Sequence, residues 1–377
     1  MSARATFAIL LVTGCGFQAQ PTHQGLGDDA PVMVDGPGGN GGGDSGSGTG
    51  STNFCVSDAM VTACLPQKPT MSITISAPTA IDTDKPDSCA AETTGSSGNY
   101  CIFAGASITI AAGQTLSAHG SRPLVLLSST AITVAGTIDV AGHLSGAPQP
   151  AGPASTTCAG ATPASSSGGG YGGSLGSLGG DGGTDSGAHL GGKAPPIVAP
   201  TTLRGGCNGE QGANNGGSAG GGGGGLAVLA MVSIDVQGSI NASGGGGGAG
   251  AVNPGNRGGG GGGGGGMIVI DAPVVSGVLG KIFANGGSGG EASGGNIGNV
   301  GNDAPLDPTV AAQGGAGGSS GGDGGVGAIN NAQGGNAATS GGTGTSAAGG
   351  GGGGGGTGII KLYKAAALPG MVSPPPT

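Results

Sequence analysis

The sequence predicts an all-β protein: a parallel β-solenoid, specifically a right-handed β-helix, carrying long glycine-rich insertions. Three observations lead there: a recurring strand pattern, glycine gathered into runs, and a composition that removes the alternatives. Of 377 residues 99 are glycine, aromatics are 2%, charged residues are 8%, and tryptophan is absent. Glycine costs about 1 kcal/mol per helical position relative to alanine, which argues against helix bundles. Collagen needs glycine at every third position and abundant proline, whereas glycine here comes in runs and proline numbers 23. A hydrophobic content of 35% is too high for a simple solvated coil. Five Phe and three Tyr are too few for the aromatic core of an ordinary enzyme of this length.

The recurring pattern is V-x-G-x-I-x-[AV]-x-G. It occurs at Val134 to Gly142 (VAGTIDVAG), Val236 to Gly244 (VQGSINASG) and Val278 to Gly286 (VLGKIFANG). Ile110 to Gly120 is a looser copy with one extra residue. Period-two alternation puts Val134, Gly136, Ile138 and Val140 on one face. Val236, Gly238, Ile240 and Ala242 match them, as do Val278, Gly280, Ile282 and Ala284. The other face carries Thr, Asp, Gln, Ser, Asn and Lys, as expected of a strand with one wet side. Each copy follows a second strand-like run: Leu124 to Leu127, Leu226 to Val232, and Met267 to Ile270. A final run, Ile359 to Tyr363, has no repeat after it. The gaps between copies are uneven, which means a fixed rung with insertions of variable length. A single rung cannot bury its apolar face; stacked rungs with aliphatic columns can.

The insertions hold most of the glycine, with runs at Gly220–Gly225, Gly244–Gly248, Gly258–Gly266 and Gly349–Gly356. Two readings stay open for them. Bare loops follow from the large ordering entropy of glycine. Extended polyglycine-II helices, hydrogen-bonded side by side, satisfy the same backbone groups in order.

The organisation read from the sequence is a signal peptide over 1–14 and a flexible tether over 15–53. A disulfide-stapled cap follows over 54–106, the solenoid over 107–365 and a Pro-rich tail over 366–377. The apolar stretch Ala5 to Val12 is far below the roughly 20 residues that span a bilayer, and it reads as a signal segment. It ends in Val12-Thr13-Gly14-Cys15, which resembles the lipobox of bacterial lipoproteins. That resemblance implies cleavage before Cys15, lipidation of Cys15, and, with Gly16 rather than Asp following, placement in an outer membrane. Six cysteines remain, Cys55, Cys64, Cys89, Cys101, Cys158 and Cys207. An even set in an exported chain reads as disulfides. Sequence order suggests neighbouring pairs among the many pairings that are open. With a net charge of −9 and no basic stripe, nucleic acid is not an expected partner.

Motifs resembling catalytic sites are products of glycine content. Gly187 to Ala194 approaches a phosphate-binding loop around Lys193, but Ala194 stands where the Ser/Thr should be and Pro195 and Pro196 block the helix. Ser174 and Ser218 sit in G-x-S-x-G without the flanking strand and helix, and His189 is the last histidine. The acidic group Asp82, Asp84 and Asp87 is the one calcium candidate, off the EF-hand pattern; no cofactor or other metal is expected. Asp139, Asp235 and Lys281 point outward, and stacking would bring Asp139 towards Asp235, as a β-helix carbohydrate-active enzyme requires. Thr133 and Thr137 hint at a hydroxyl row of the ice-binding kind. His119 and His143 read as exposed turn residues, and Pro150 to Ser167 as a linker.

Long glycine runs, a short I-V-I strand and V-x-G-x-I-x-A-x-G together resemble glycine-rich repeat surface lipoproteins of bacteria, of the myxobacterial type. The resemblance covers about Ser107 to Lys364 and implies an adhesin-like surface role. The expected function is therefore a non-enzymatic, lipid-anchored, cell-surface structural or adhesin-like protein that contacts polysaccharide or other surface proteins. A carbohydrate-active lyase or hydrolase is the alternative, and an ice-binding module the third.

Overall fold

A computed structural model describes residues 53–377, apart from 59, 94–98, 145–148, 153–157, 188, 198, 253–255, 331–334, 336 and 342–347. The expected signal segment, Cys15 and the tether lie outside the described residues. The described chain is almost entirely β, with one 3₁₀ turn, Pro86–Ser88. It opens with an antiparallel hairpin, β1 (Phe54–Ser57) and β2 (Thr62–Leu65), which brings Cys55 opposite Cys64.

After the hairpin the chain visits three sheets in turn, five times over. The first circuit holds β3 (Ile73–Ile75), β4 (Thr79–Asp82), the short β5 (Ala91–Thr93) and β6 (Tyr100–Gly105). The second holds β7 (Ile108–Ile110), β8 (Thr115–His119) and β9 (Leu124–Ser128). The third holds β10 (Ala131–Val134), β11 (Thr137–Asp139) and β12 (Gly225–Ala230). The fourth holds β13 (Ser233–Val236), β14 (Ser239–Asn241) and β15 (Met267–Asp271). The fifth holds β16 (Val274–Ser276), β17 (Lys281–Phe283) and β18 (Ile359–Tyr363), and β19 (Met371–Ser373) follows. The first sheet runs β3-β7-β10-β13-β16, the second β4-β8-β11-β14-β17-β19 and the third β6-β9-β12-β15-β18. All three are parallel; β5 adds to β6 antiparallel. None of the sheets closes on itself among the described strands.

Register places like on like. Ile73, Ile108, Ile132, Ile234 and Val275 form one inward column of the first sheet. Leu116, Ile138, Ile240, Ile282 and Val372 form one of the second. These columns and the inner face of the third sheet make a single aliphatic core. The third sheet also buries its outer face. Val125, Leu127, Ala227, Leu229, Met267 and Val269 meet Val56, Val61, Ala63 and Leu65 of the hairpin, together with Leu175 and Leu203. This is why its strands read as unbroken apolar runs, L-V-L-L and M-I-V-I, whereas the first two sheets alternate.

The structure moves several sequence boundaries. Residues 73–106, read as a cap, supply β3, β4 and β6 to the same three sheets. Residues 366–377, read as a tail, supply β19, so Ile359 to Tyr363 is not the last strand. The looser copy is longer by two residues rather than one, because Ile110 pairs with Val134 and Leu116 with Ile138. Val278 does not share the face of Ile282. It is 84% exposed, since β13 and β16 are aligned so that Gly277 follows Ser276 into the Val134/Val236 column. Gly277 has φ +122, and a Cβ there would fall on the Val236 carbonyl. Only glycine permits that turn, and Val278 and Leu279 are left in a turn closed by the Gly280 N–H donating to the Gly277 carbonyl.

All three long insertions, residues 140–224, 242–266 and 284–358, leave after the second strand of a circuit and return at the third. Their glycines are hydrogen-bonded to one another at three-residue intervals. Gly259, Gly262 and Gly265 donate to Gly350, Gly353 and Gly356; Gly260, Gly263 and Gly266 donate to Gly248, Gly245 and Ala242. Gly261 and Gly264 donate to Glu210 and Cys207. In return, Gly217, Gly220 and Gly223 donate to the carbonyls of Gly258, Gly261 and Gly264. Gly170 and Gly173 donate to Gly259 and Gly262, and Gly290 and Gly287 to Gly260 and Gly263. One run thus has six hydrogen-bonded neighbours, in the pattern that three residues per turn dictates. All eight amides of residues 259–266 donate. We expect slow amide exchange across that run, and exchange at random-coil rates would refute the ordered arrangement.

The six cysteines are paired Cys55–Cys64, Cys89–Cys101 and Cys158–Cys207, with Cα separations of 4.1, 5.2 and 5.7 Å.

Candidate functional site

The outward faces of the first two sheets carry polar residues in register. On the first sheet Thr74, Thr109, Thr133, Asp235 and Ser276 occupy one column. On the second, Thr115, Thr137, Ser239 and Lys281 form a column, and Ser117, Asp139 and Asn241 another. Neighbouring rungs are about 4.8 Å apart, as in any sheet, so the hydroxyls repeat at that interval. Several touch. Ser107 donates to Ser72 at 2.8 Å, Thr137 and Ser239 share a hydrogen bond of 3.0 Å, and Ser276 donates to Asp235 at 2.7 Å.

This array arises from a second repeat that the V-x-G-x-I reading passed over. Ser72-Ile73-Thr74-Ile75, Ser107-Ile108-Thr109-Ile110, Ala131-Ile132-Thr133-Val134 and Ser233-Ile234-Asp235-Val236 are four versions of S-I-T-I. The signal was present in the sequence but short, and its first copy sits inside the segment assigned to a cap. Thr133 and Thr137 do not share a row: Thr133 belongs to the first sheet and Thr137 to the second. Each has its own hydroxyl neighbours.

Asp139 and Asp235 do not stack either. Asp139 lies on the second sheet, accepting from the Asn241 amide at 3.3 Å, while Asp235 lies on the first beside Ser276. Ser174 donates to the Pro195 carbonyl at 2.7 Å, not to His189, and His189 sits 2.7 Å from Asp185. Lys193 pairs with Asp181 at 2.8 Å. Asp84 accepts from the backbone and hydroxyl of Ser121, and Asp82 pairs with Lys85 at 3.2 Å. Asp87 is exposed. Among the described residues no three His, Cys, Asp or Glu side chains converge as a metal site.

Compared with protein-family models, curated proteins and solved structures, the chain finds no match. Its chemistry must therefore be read from its own geometry.

That geometry uses carboxylates as anchors for the glycine insertions. Glu291, fully buried, accepts the backbone N–H groups of Asn299, Gly318 and Ser319 at 2.7–2.9 Å. Glu210 accepts from Ala164 and Tyr171, and burial pushes its carboxyl above the usual range. Asp303 accepts from Leu144 and Gly246 and lies 3.3 Å from His143. Burial works to raise Asp303, but the His143 and backbone hydrogen bonds outweigh it and hold it low; the same contact raises His143. A buried carboxylate is tolerable when several N–H groups solvate it. None of these acids was recognised from the sequence, because backbone partners leave no side-chain motif.

Proposed function

We propose that this protein is a non-enzymatic, lipid-anchored surface protein whose working part is the hydroxyl face of the first two sheets. The body is read as a parallel β-solenoid, a right-handed β-helix, and the glycine insertions as a polyglycine-II bundle that stiffens one corner of it. Lipidation at Cys15 would hold it in an outer membrane, several acyl chains giving stable attachment. The observation that carries the reading is the Thr74–Thr109–Thr133 column with its neighbours. A weakly charged, regularly spaced set of hydroxyls suits repeated hydrogen bonding to a polysaccharide or a hydroxyl-rich partner surface. The use of Glu210, Glu291 and Asp303 as backbone anchors favours a scaffold over a hydrolytic enzyme. The aligned threonines also support a second reading, ordering of water or ice.

Two measurements test this. Replacing Thr74, Thr109 and Thr133 together by valine keeps shape and removes the hydroxyls. Polysaccharide binding should fall at least tenfold with folding intact, and unchanged binding would move the site elsewhere. Release of new reducing ends from the bound glycan would establish the enzyme alternative instead, and thermal hysteresis in place of glycan binding the ice-ordering one. Palmitate labelling should mark the wild-type chain and not Cys15→Ala; equal label in both would remove the anchor.

A further inference from the structure

Where β15 ends and β18 passes into the final segment, Lys364 meets Asp271, within electrostatic reach of Asp58 in the hairpin turn. Lys364 places its Nζ 2.6 Å from Oδ2 of Asp271. The Asp271 side chain is 0% exposed and its Oδ1 has no hydrogen-bond partner. Among the described residues, Lys364 is one of five non-glycine residues with positive φ, at 64°, a conformation that costs energy and persists where the surroundings require it. Asp58, in the turn between β1 and β2, interacts electrostatically with both. Its Oδ1 accepts from the N–H groups of Met60 and Val61, and its Oδ2 is buried without a partner. Tyr363 and Tyr100 lie beside the group.

An ion pair is a poor end state in this position. The Asp271 carboxylate is fully buried with one oxygen unsatisfied, whereas the Lys364 side chain is 49% exposed, so it is the carboxylate that bears the full desolvation cost, several kcal/mol. Burial raises the Asp58 carboxyl, and Asp271 adds to the rise.

We propose that Lys364 and Asp271 condense into an intramolecular amide bond, with Asp58 carrying the protons. The Lys364 ammonium gives up a proton, and the neutral Nζ attacks Cγ of Asp271. The C–N bond forms, one Cγ–O bond breaks, and that oxygen leaves as water with the two protons shed by nitrogen. Ammonium plus carboxylate thus becomes amide plus water, with no change of oxidation state and no outside reactant. The product is neutral, which removes the buried, half-satisfied carboxylate of Asp271.

The placement gives such a bond a purpose. The last cysteine is Cys207, so the three disulfides staple only the first part of the chain. Lys364 and Asp271 are 93 residues apart and enclose the whole third insertion. A bond between them restricts the unfolded chain over that long loop. The proposal does not depend on the reading of the hydroxyl face.

Trypsin supplies the test on the full chain. Without the bond it releases Gly258–Lys281, Leu362–Lys364 and Ala365–Thr377 as separate peptides. With it, cleavage after Lys364 is blocked, and Gly258–Lys281 emerges joined to Leu362–Thr377, one water lighter than their sum. The branched peptide is expected in wild type, is expected to be absent in Lys364→Arg, which keeps the charge, and is expected to drop at least tenfold in Asp58→Asn. Linear peptides alone from folded wild-type protein would overturn the bond. Full branching in Asp58→Asn would overturn the role given to Asp58.

Discussion

Ile240→Asp is expected to abolish the folded body. Ile240 is fully buried and has Ile138 on one side and Ile282 on the other in the second sheet. The change removes about 1.5–3 kcal/mol of side-chain burial and leaves a carboxylate without a partner, at a further several kcal/mol. Together these rival the roughly 5–15 kcal/mol that holds a whole domain. No relief is available through protonation alone, because the neutral acid still lacks hydrogen-bond partners in an aliphatic column. Ile138→Asp should behave alike. Ile240→Val, by contrast, should cost about 0.5–1.5 kcal/mol and fold normally. Limited proteolysis and circular dichroism on the three variants check this. Wild-type protease resistance in either aspartate variant would mean that the register is wrong.

Gly261→Ala should cause a large loss from a single methyl group. A Cβ at Gly261 would fall on the carbonyl oxygen of Tyr171, which is backbone of a neighbouring segment and cannot rotate away. Overpacking of ordinary cores costs about 1–3 kcal/mol where side chains can yield, so about 3 kcal/mol or more is expected here, with loss of amide protection in neighbouring runs. Gly221→Ala is the control. Its Cβ would meet nothing closer than the His143 carbonyl oxygen at 3.7 Å, and its melting temperature should stay near that of wild type. If the two variants melt together, the runs are not packed as described.

The sequence made some of this readable and hid the rest for identifiable reasons. Ile138 and Ile240 were legible as one column because a period-two pattern with fixed glycines leaves little freedom in register. The runs of the third sheet were legible because burial on both faces makes them continuously apolar. Val278 was misplaced since one inserted residue exchanges the faces of a strand, and Gly277 looks like any other glycine in a chain rich in them. Residues 73–106 and 366–377 were separated from the body on cysteine and proline content, although β3 and β19 pair like the rest. The hydroxyl face was half visible, one threonine at a time. Its alignment depends on pairings across long gaps in sequence, such as Thr133 with Asp235, that no local pattern reports.

The hydrogen-bonding of Gly258–Gly266 constrains how the chain can assemble in time. Its partners stretch from Gly170 to Gly356, so the centre of the bundle is made of contacts between segments synthesised far apart. Contacts of long sequence separation form slowly, since the chain must lose the freedom of the intervening loops first. The circuits can stack as they emerge, but Gly259, Gly262 and Gly265 find their acceptors only when Gly350 to Gly356 arrive. A chain that stops before residue 349 therefore leaves the N–H groups of Gly259, Gly262 and Gly265 to water alone. Completion of the last insertion is expected to close the bundle last.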